Sequence, residues 1–344
     1  MLASASPGRA QAPAQTCAPA GGLNFICGVR AAEDLVLVPN TRWLIASGMQ
    51  AGSGLHLIDT QAKTASSLST DAANAKWDRP RYGSCASPLD PKVATLHGLS
   101  LRPAAANGHY TLYATNHGGR ESIEVFDIDA TGARPAASWT GCVTMPAMMA
   151  ANSVAAFRDG TLVATVLTLP GKTFEDLFAG RNTGAVFQWT PGSGGFRQLA
   201  GTELPGNNGI ETSADDREFF VVSSGLKRVV AYSRMDPSKP LRVAQLKEFA
   251  PDNVRLVGAR LVTAGMIDAE PACNGAPKTP ADIQCPRGWI AAAIDPGTMA
   301  VTELARGPRA APYTGTATAL PVGNELWLSS FNSDRIAYRT LSAR

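Results

Sequence analysis

Residues 217–234 read REFFVVSSGLKRVVAYSR, and this stretch decides the fold. It consists of a polar turn, a short β-rich run, a Ser-Gly break and a second β-rich run. The same unit recurs six times along the chain, with copies that begin near Asn40, Gly108, Asp159, Asp215, Gly258 and Gly323. A unit of this size cannot bury its apolar faces alone, so the copies must pack on one another. The pattern predicts an all-β fold, a six-bladed β-propeller with four-stranded blades around a central channel.

The length and composition fit one closed domain. Six blades of roughly 40–70 residues would use most of the chain, which has 344 residues. We expect residues 1–22 to form a flexible N-terminal tail and residues 23–344 to form a single propeller. A net charge of only +3, with no Lys/Arg-rich run, argues against nucleic-acid binding. No apolar stretch approaches the ~20 residues of a transmembrane segment. The segment 172–180, KTFEDLFAG, predicts a short helix.

The first 22 residues and the cysteines favour export. The segment MLASASPGRAQAPAQTCAPAGG has no apolar signal core, and we interpret it as the remnant of a leader that has been removed. A disordered cytosolic tail is the alternative. Six cysteines, an even number, favour disulfides and a periplasmic or secreted location. The best single pair is Cys273 with Cys285, which bracket a loop without periodicity, and Cys85–Cys142 and Cys17–Cys27 would complete the set.

Two long irregular stretches, Gln61–Lys92 and Asp268–Arg287, interrupt the strand pattern. Long loops on a rigid scaffold usually lie over a functional face, so we expect both to roof one end of the channel.

Oxygen-bearing side chains recur where several units begin, in the pairs Glu33-Asp34, Asn152-Ser153, Asn207-Asn208 and Asp252-Asn253. The inner strands of a propeller converge on its axis, so these side chains can meet there. Oxygen donors suit calcium, which accepts 6–8 of them in irregular geometry. The alternative is that each is a turn former bonded to its own backbone. Recurrence at equivalent points favours the metal site.

Two of the four histidines are candidates for catalysis. His97 and His117 flank the inner part of one unit, and either could act as a general base because an unperturbed imidazole has a pKa near 6.5. His56 alternates within a strand and His109 lies in a turn, so both are expected to be structural or exposed.

A family resemblance covers most of residues 30–340. The chain resembles the six-bladed calcium-dependent propeller hydrolases, the paraoxonase, gluconolactonase and senescence-marker (regucalcin-like) group, and looks closest to the paraoxonase/arylesterase branch. The stretches that carry the resemblance are EDLVLVPNTRWLIASG, HGLSL, YATNH with SIEVFDID, NSVAAF, NNGIETSADDREFFVVSSG with RVVAYSR, and PDNVRL.

The resemblance implies one catalytic calcium ion at the bottom of a funnel. The implied ligands are Glu33, Asn152, Asn208, Asp252 and Asn253. His97 and His117 match the proposed base pair of the paraoxonase branch.

The resemblance also implies a second, structural calcium that this chain is poorly equipped to hold. Its ligands would be Asp34, the backbone carbonyl of Leu99 and an Asp at the position where this chain has Ser153. Losing a carboxylate weakens such a site. The terminal disulfide of animal paraoxonases is also missing, since this chain has Arg339 near the position where their last cysteine would fall. We therefore expect the ring to close by strand pairing or another bridge.

The implied activity is hydrolysis of a lactone or ester, with calcium polarising the carbonyl group, His97 activating water, His117 relaying the proton and Asn208 adding a hydrogen bond. A pocket wall rich in Met and aromatic side chains would favour an apolar or aromatic substrate; the candidates are Met145, Met148, Met149, Phe174, Phe178 and Trp289. The alternatives are another metal-dependent propeller enzyme, such as a lyase, an isomerase or a strictosidine-synthase-like enzyme, and a non-catalytic binding propeller.

Overall fold

The computed structural model describes residues 17–70 and 72–341, and in this part of the chain 24 strands form six antiparallel sheets of four strands each. The strands are β1 (Asn24–Cys27), which belongs to the last blade; β2 (Leu35–Leu37), β3 (Trp43–Ser47), β4 (Leu55–Asp59) and β5 (Thr64–Leu68) in blade 1; β6 (Leu96–Pro103), β7 (His109–Asn116), β8 (Ser122–Asp129) and β9 (Ala136–Thr144) in blade 2; β10 (Val154–Ala156), β11 (Leu162–Val166), β12 (Gly184–Trp189) and β13 (Arg197–Leu204) in blade 3; β14 (Asn207–Thr212), β15 (Glu218–Ser223), β16 (Arg228–Ser233) and β17 (Pro240–Gln245) in blade 4; β18 (Phe249–Val257), β19 (Arg260–Ile267), β20 (Trp289–Ile294) and β21 (Val301–Gly307) in blade 5; and β22 (Thr316–Val322), β23 (Glu325–Ser330) and β24 (Arg335–Thr340) in blade 6. This is the predicted six-bladed β-propeller.

Each copy of the repeated sequence unit forms the two middle strands of a blade. The run FFVV on β15 shows why these strands are apolar without a break. Phe219 and Val221 pack toward blade 3, and Phe220 and Val222 pack toward blade 5, because successive side chains on a strand point to opposite faces. Among the described residues, one buried apolar cluster fills each interface between neighbouring blades. Both faces of a middle strand are therefore buried.

The ring closes by strand pairing, as the missing terminal cysteine suggested. β1 pairs antiparallel with β24, from Asn24 opposite Tyr338 to Cys27 opposite Arg335. Blade 6 thus takes three strands from the end of the chain and its outer strand from the beginning. All three predicted disulfides, Cys17–Cys27, Cys85–Cys142 and Cys273–Cys285, are confirmed. Residues 1–16 of the predicted tail lie outside the described residues.

The two long irregular segments lie in different parts of the structure. Residues of the 268–287 segment lie over the central cavity, as predicted. The prediction for Gln61–Lys92 was wrong in two respects. It contains β5, whose sequence TASSL has little apolar signal because Leu68 is the one buried residue of the strand. Beyond β5 it packs along β9, where Lys76 N–H donates to the Trp139 carbonyl at 2.7 Å, and no residue from this segment is among the described residues that line the cavity.

The predicted short helix is α1 (Phe174–Phe178), and Thr173 and Asp176 form a capping box at its start. Gly180, two residues beyond its end, has a φ of 73°. In the described residues, no helix is long and apolar enough to cross a membrane.

Inner strands carry irregularities at the positions that face the axis. The pairing register shifts between Leu96 and Leu99 on β6, between Asn207 and Ile210 on β14, and between Pro251 and Val254 on β18. A bulge bends the strand and re-aims the side chains in it. The shifts on these strands coincide with the sequence pairs that carry the candidate site residues.

Glycine lets these bulged strands come close together. A Cβ on Gly209 of β14 would lie 2.6 Å from the Cα of Asn253 and 2.8 Å from the Asp252 carbonyl oxygen, both on β18. A Cβ on Gly98 of β6 would lie 2.5 Å from the Cα of Ser153. These obstructing atoms are backbone atoms, so they cannot move aside like a flexible side chain.

Replacing Gly209 with Ala should therefore force blades 4 and 5 apart at the axis. We expect a loss of about 1–3 kcal/mol in the free energy of unfolding, as for other overpacked sites, measured by urea denaturation. Gly194→Ala is the matched control, because no heavy atom lies within 4 Å of its added Cβ. Equal stability of the Gly209→Ala and Gly194→Ala proteins would contradict this description of the interface.

Candidate metal centre and active site

Four blades bring the five predicted calcium ligands toward the axis. Glu33 precedes β2 and Asn152 precedes β10, whereas Asn208 lies on β14 and Asp252 and Asn253 lie on β18. Asn253 Nδ2 donates to Glu33 Oε1 at 2.5 Å across 220 positions of sequence. Asn208 Nδ2 donates to Ser224 Oγ at 3.0 Å, and Ser224 Oγ donates to the Pro251 carbonyl, next to Asp252, at 2.8 Å. These contacts join residues of blades 1, 4 and 5 in one network.

The ligand candidates carry buried oxygens that have no hydrogen-bond partner among the described residues. These oxygens are Glu33 Oε2, Asn152 Oδ1, Asn208 Oδ1 and Asn253 Oδ1. A buried polar atom without a partner ordinarily costs about 1–3 kcal/mol, and native structures contain few of them. Turn-forming Asn residues would instead bond their own backbone. Four such oxygens at the base of one cavity fit a cation that accepts oxygen ligands.

The donor types indicate which cation suits the site. Two carboxylates and three amide oxygens form a hard donor set, which suits calcium better than zinc. No group of three or more His, Cys, Asp or Glu side chains that could hold a metal occurs in the described part of the chain. The candidate site is not a group of this kind, because most of its oxygen donors are amides rather than carboxylates.

Burial and neighbouring negative charges shift the pKa values of two groups at the site, Asp252 and His97. Burial and the nearby charge of Glu33 raise the pKa of Asp252 to about 7. Burial would lower the pKa of His97, but the charges of Glu33, Asp252 and Glu121 outweigh it, and the pKa of His97 lies above its ordinary value. Both shifts show that the site accumulates negative charge, which a divalent cation would offset.

His97 and His117 form a relay that leads away from the site. His97 Nδ1 lies 3.1 Å from His117 Nε2, and His117 Nδ1 lies 2.8 Å from Glu121 Oε2. The carboxylate of Glu121 favours a proton on His117 Nδ1, so His117 Nε2 accepts from His97 Nδ1. In this tautomer His97 Nε2 carries the lone pair, and it lies 3.6 Å from Glu33 Oε1, which favours the protonated ring and so raises the pKa of His97.

Glu121 was not found by sequence reasoning. Its only signal in the sequence is its position four residues after His117, in a polar loop where a glutamate is not distinctive. The other two histidines lie elsewhere, with His56 bonded to Ser53 and His109 bonded to Asp127, and neither is among the described residues lining the cavity.

The cavity above the site has a volume of about 570 Å³ and largely apolar walls. Glu33, His97, Asn152, Asn208 and Asp252 belong to its lining. The larger apolar side chains of its wall include Met49, Leu167, Phe174, Leu177, Phe178, Met266, Pro277, Pro280, Ile283 and Phe331. They come chiefly from α1 and from the loop closed by the Cys273–Cys285 disulfide.

The predicted wall was right for Phe174 and Phe178 and wrong for the other candidates. Met145 and Met149 pack in the core between blades 2 and 3, and Met148 is 83% exposed. Trp289 is buried between blades 5 and 6. The prediction was wrong because it relied on the position of these methionines just before Asn152. The segment that contains them runs from the outer strand of blade 2, β9, to the axis.

Two residues of the possible second calcium site, Asp34 and Leu99, are in contact beneath the first site. The Asp34 carboxylate is fully buried, and Leu99 N–H donates to its Oδ2 at 2.6 Å. The Ser153 hydroxyl is buried without a partner among the described residues. Arg255 of β18 also donates to Asp34.

Comparison with known proteins extends to the fold. The chain matches no family model, and no curated protein sequence matches it. Among solved structures it is similar to a luciferin-regenerating enzyme (TM-score 0.55, 14% identity, covering 93% of this chain and 96% of that one). It is also similar to a protein provisionally assigned as a gluconolactonase (TM-score 0.52, 16% identity, 94% and 95%). A third is the calcium-binding protein regucalcin from Agrobacterium tumefaciens strain C58 (TM-score 0.50, 11% identity, 92% and 92%).

At these identities the likeness shows the fold alone, that of the six-bladed β-propeller proteins. It does not single out the paraoxonase branch, which stays a prediction.

The raised pKa of Asp252 would make calcium binding at this site depend on pH. A carboxylate must lose its proton to bind a metal ion, so binding should release protons below the pKa of about 7 and weaken as the pH falls. We expect affinity to drop roughly tenfold per pH unit below that value. Isothermal titration calorimetry in buffers of different ionisation enthalpy measures both effects. Affinity that is constant from pH 5.5 to 8, with no proton release, would contradict this assignment of Asp252.

Proposed function

We propose that this protein is a calcium-dependent hydrolase of lactones or esters. The observation that carries the proposal is the set of unpaired buried oxygens on Glu33, Asn152, Asn208 and Asn253, which lies beside the His97–His117 relay at the base of an apolar cavity. The fold shared with a provisionally assigned gluconolactonase and a regucalcin agrees with this proposal.

The ligands in this proposal are Glu33, Asn152, Asn208, Asp252 and Asn253. A calcium ion held by them would supply Lewis-acid polarisation of a carbonyl oxygen and would stabilise the negative charge that develops there. Asn208 belongs to this set through its Oδ1. Its Nδ2 donates to Ser224 Oγ at 3.0 Å, so the ligand role suits it better than donation to substrate.

His97 is the proposed general base. Its Nε2 lone pair can take a proton from a water molecule in the cavity while Nδ1–H donates to His117. His117 then shares the positive charge, and Glu121 holds the His117 ring in the tautomer that this relay requires. Glu121 is a positioning residue because it acts through His117.

The walls favour an apolar or aromatic lactone or ester. Phe174 and Phe178 of α1 face a cavity whose roof includes Pro277, Pro280 and Ile283 of the disulfide-closed loop. Apolar walls with a few convergent polar groups are typical of small-molecule sites. Polar side chains also line the cavity, at Ser224, Lys227, Asp268, Gln284 and Thr316, so the proposed preference rests on Phe174, Phe178 and the apolar loop residues.

We also propose that the protein is exported. Three disulfides are compatible with an oxidising compartment.

The direct test is a panel of aryl esters and lactones with side chains of increasing length, assayed before and after chelation. We expect hydrolysis that disappears with calcium removal, returns on adding calcium, and improves with apolar side chains. Full turnover in chelator, or conversion of a substrate without addition of water, would contradict the proposal and favour another propeller enzyme. A protein that binds calcium and turns over no member of the panel would favour a binding function.

His97→Gln should lower kcat by about 100-fold or more, the usual contribution of a general base, while calcium affinity measured by calorimetry stays close to that of the wild type. His109→Gln is the matched control, since His109 bonds Asp127 on the β7–β8 hairpin. Unchanged turnover in the His97→Gln protein would exclude His97 as the base.

Glu121→Gln should lower kcat by about 10-fold or more, as losses of orienting partners do. The charge of Glu121 contributes to the raised pKa of His97. Removing it lowers that pKa, so the acidic limb of the pH–kcat profile should move to lower pH. A merely structural role would lower activity without moving this limb.

A further inference from the structure

We propose that the guanidinium of Arg255 takes the place of a second metal ion, so that the inner strands are held together at Asp34 by a cation that the chain itself supplies. This inference concerns the position beneath the candidate catalytic site and is independent of the proposed hydrolase activity.

The Asp34 carboxylate already has a full set of donors. Its Oδ1 accepts from Leu35 N–H and from Thr318 Oγ1, both at 2.8 Å. Its Oδ2 accepts from Leu99 N–H at 2.6 Å and from Arg255. These donors belong to blades 1, 6, 2 and 5 respectively. One buried carboxylate thus joins four of the six inner strands.

The remaining groups at this position do not fit a divalent cation. Leu99 N–H already donates to Asp34 Oδ2, so a metal ion bound to that oxygen would have to displace this donor. Ser153 supplies a neutral hydroxyl where a second carboxylate would be needed. Asp34 is the remaining anion, and Arg255 already pairs with it. Adding two further positive charges beside a buried guanidinium would be strongly unfavourable.

Arg255 has the properties that this role needs. It is 4% exposed, it stays protonated at neutral pH, and its planar guanidinium also donates to the Val254 carbonyl at 2.9 Å. It lies two residues after Asn253 on β18, and Asp34 directly follows Glu33. The pair therefore ties the segments that carry the upper oxygens, whether or not an ion is bound above.

A second arginine makes a similar connection among other blades. Arg102 of β6 donates to the Ala156 carbonyl at 2.7 Å and to Glu211 Oε1 at 2.9 Å. These contacts join blades 2, 3 and 4. Together the two arginine–carboxylate pairs reach all six blades, which makes a second ion unnecessary for holding the inner strands.

The test counts tightly bound calcium per chain by mass spectrometry, after chelation, reloading and exchange into buffer of fixed free calcium. We expect no more than one ion in the wild type and none in Glu33→Gln, in which the upper site is disabled. A second ion in the wild type, or an ion retained in Glu33→Gln, would overturn the proposal. A wild type that binds no ion would refute the catalytic calcium and agree with the role of Arg255.

Variants at the lower position test the same idea by stability. Arg255→Leu should lower the Tm by roughly 5–10 °C, because Asp34 is left buried without its charge partner, and calcium should not restore it. Ser153→Asp combined with Arg255→Leu should bind one additional calcium ion and regain Tm when calcium is added. Arg260→Leu, on an exposed position of β19, is the control. A wild-type Tm for Arg255→Leu, or no additional ion in the double variant, would overturn the proposal.

Discussion

Six inner strands of a propeller meet along one axis, and the polar groups that they carry there must satisfy one another because water has little access. This constraint shapes the centre of the molecule. Glu33, Asn152, Asn208 and Asn253 retain unpaired buried oxygens in an upper layer. In a layer beneath, Asp34 receives four donors from four blades, including Arg255. In the lower layer the Asp34 carboxylate is fully paired, and the neutral Ser153 hydroxyl has no partner among the described residues. This difference supports binding of an external cation in the upper layer.

The two layers depend on each other through the backbone. Glu33 and Asp34 are consecutive residues; Ser329 Oγ donates to the Glu33 carbonyl, and Thr318 Oγ1, which donates to Asp34 Oδ1, lies 3.3 Å from the same carbonyl. Breaking the lower ion pair would release the segment that presents Glu33. A site preorganised in this way can hold unpaired oxygens close together before any ligand arrives, at a cost that the apolar clusters between the blades must offset.

The blades could be predicted from the sequence, whereas the candidate site could be predicted only in part. Continuous runs such as FFVV (219–222) follow from two buried faces, so the middle strands could be read directly. β5 could not, because its TASSL sequence is mostly polar and Leu68 is its one buried residue. The candidate ligands were found from oxygen-bearing pairs at recurring places. The bulges that aim them inward, the relay partner Glu121 and the pairing of Arg255 with Asp34 depend on contacts across blades, which local sequence does not encode. The same gap misplaced Met148, which is exposed.

The central claim is that oxygens from blades 1, 3, 4 and 5 bind a single ion at the axis. A crystal structure of protein grown with calcium, with anomalous scattering to locate the ion, tests this claim most directly. The account predicts one ion at ligand distance, about 2.3–2.6 Å, from oxygens of Glu33, Asn152, Asn208 and Asp252, with the Arg255–Asp34 pair intact below. An ion bound at Asp34 with Arg255 displaced, or a fully calcium-loaded crystal without an ion at these four residues, would contradict it.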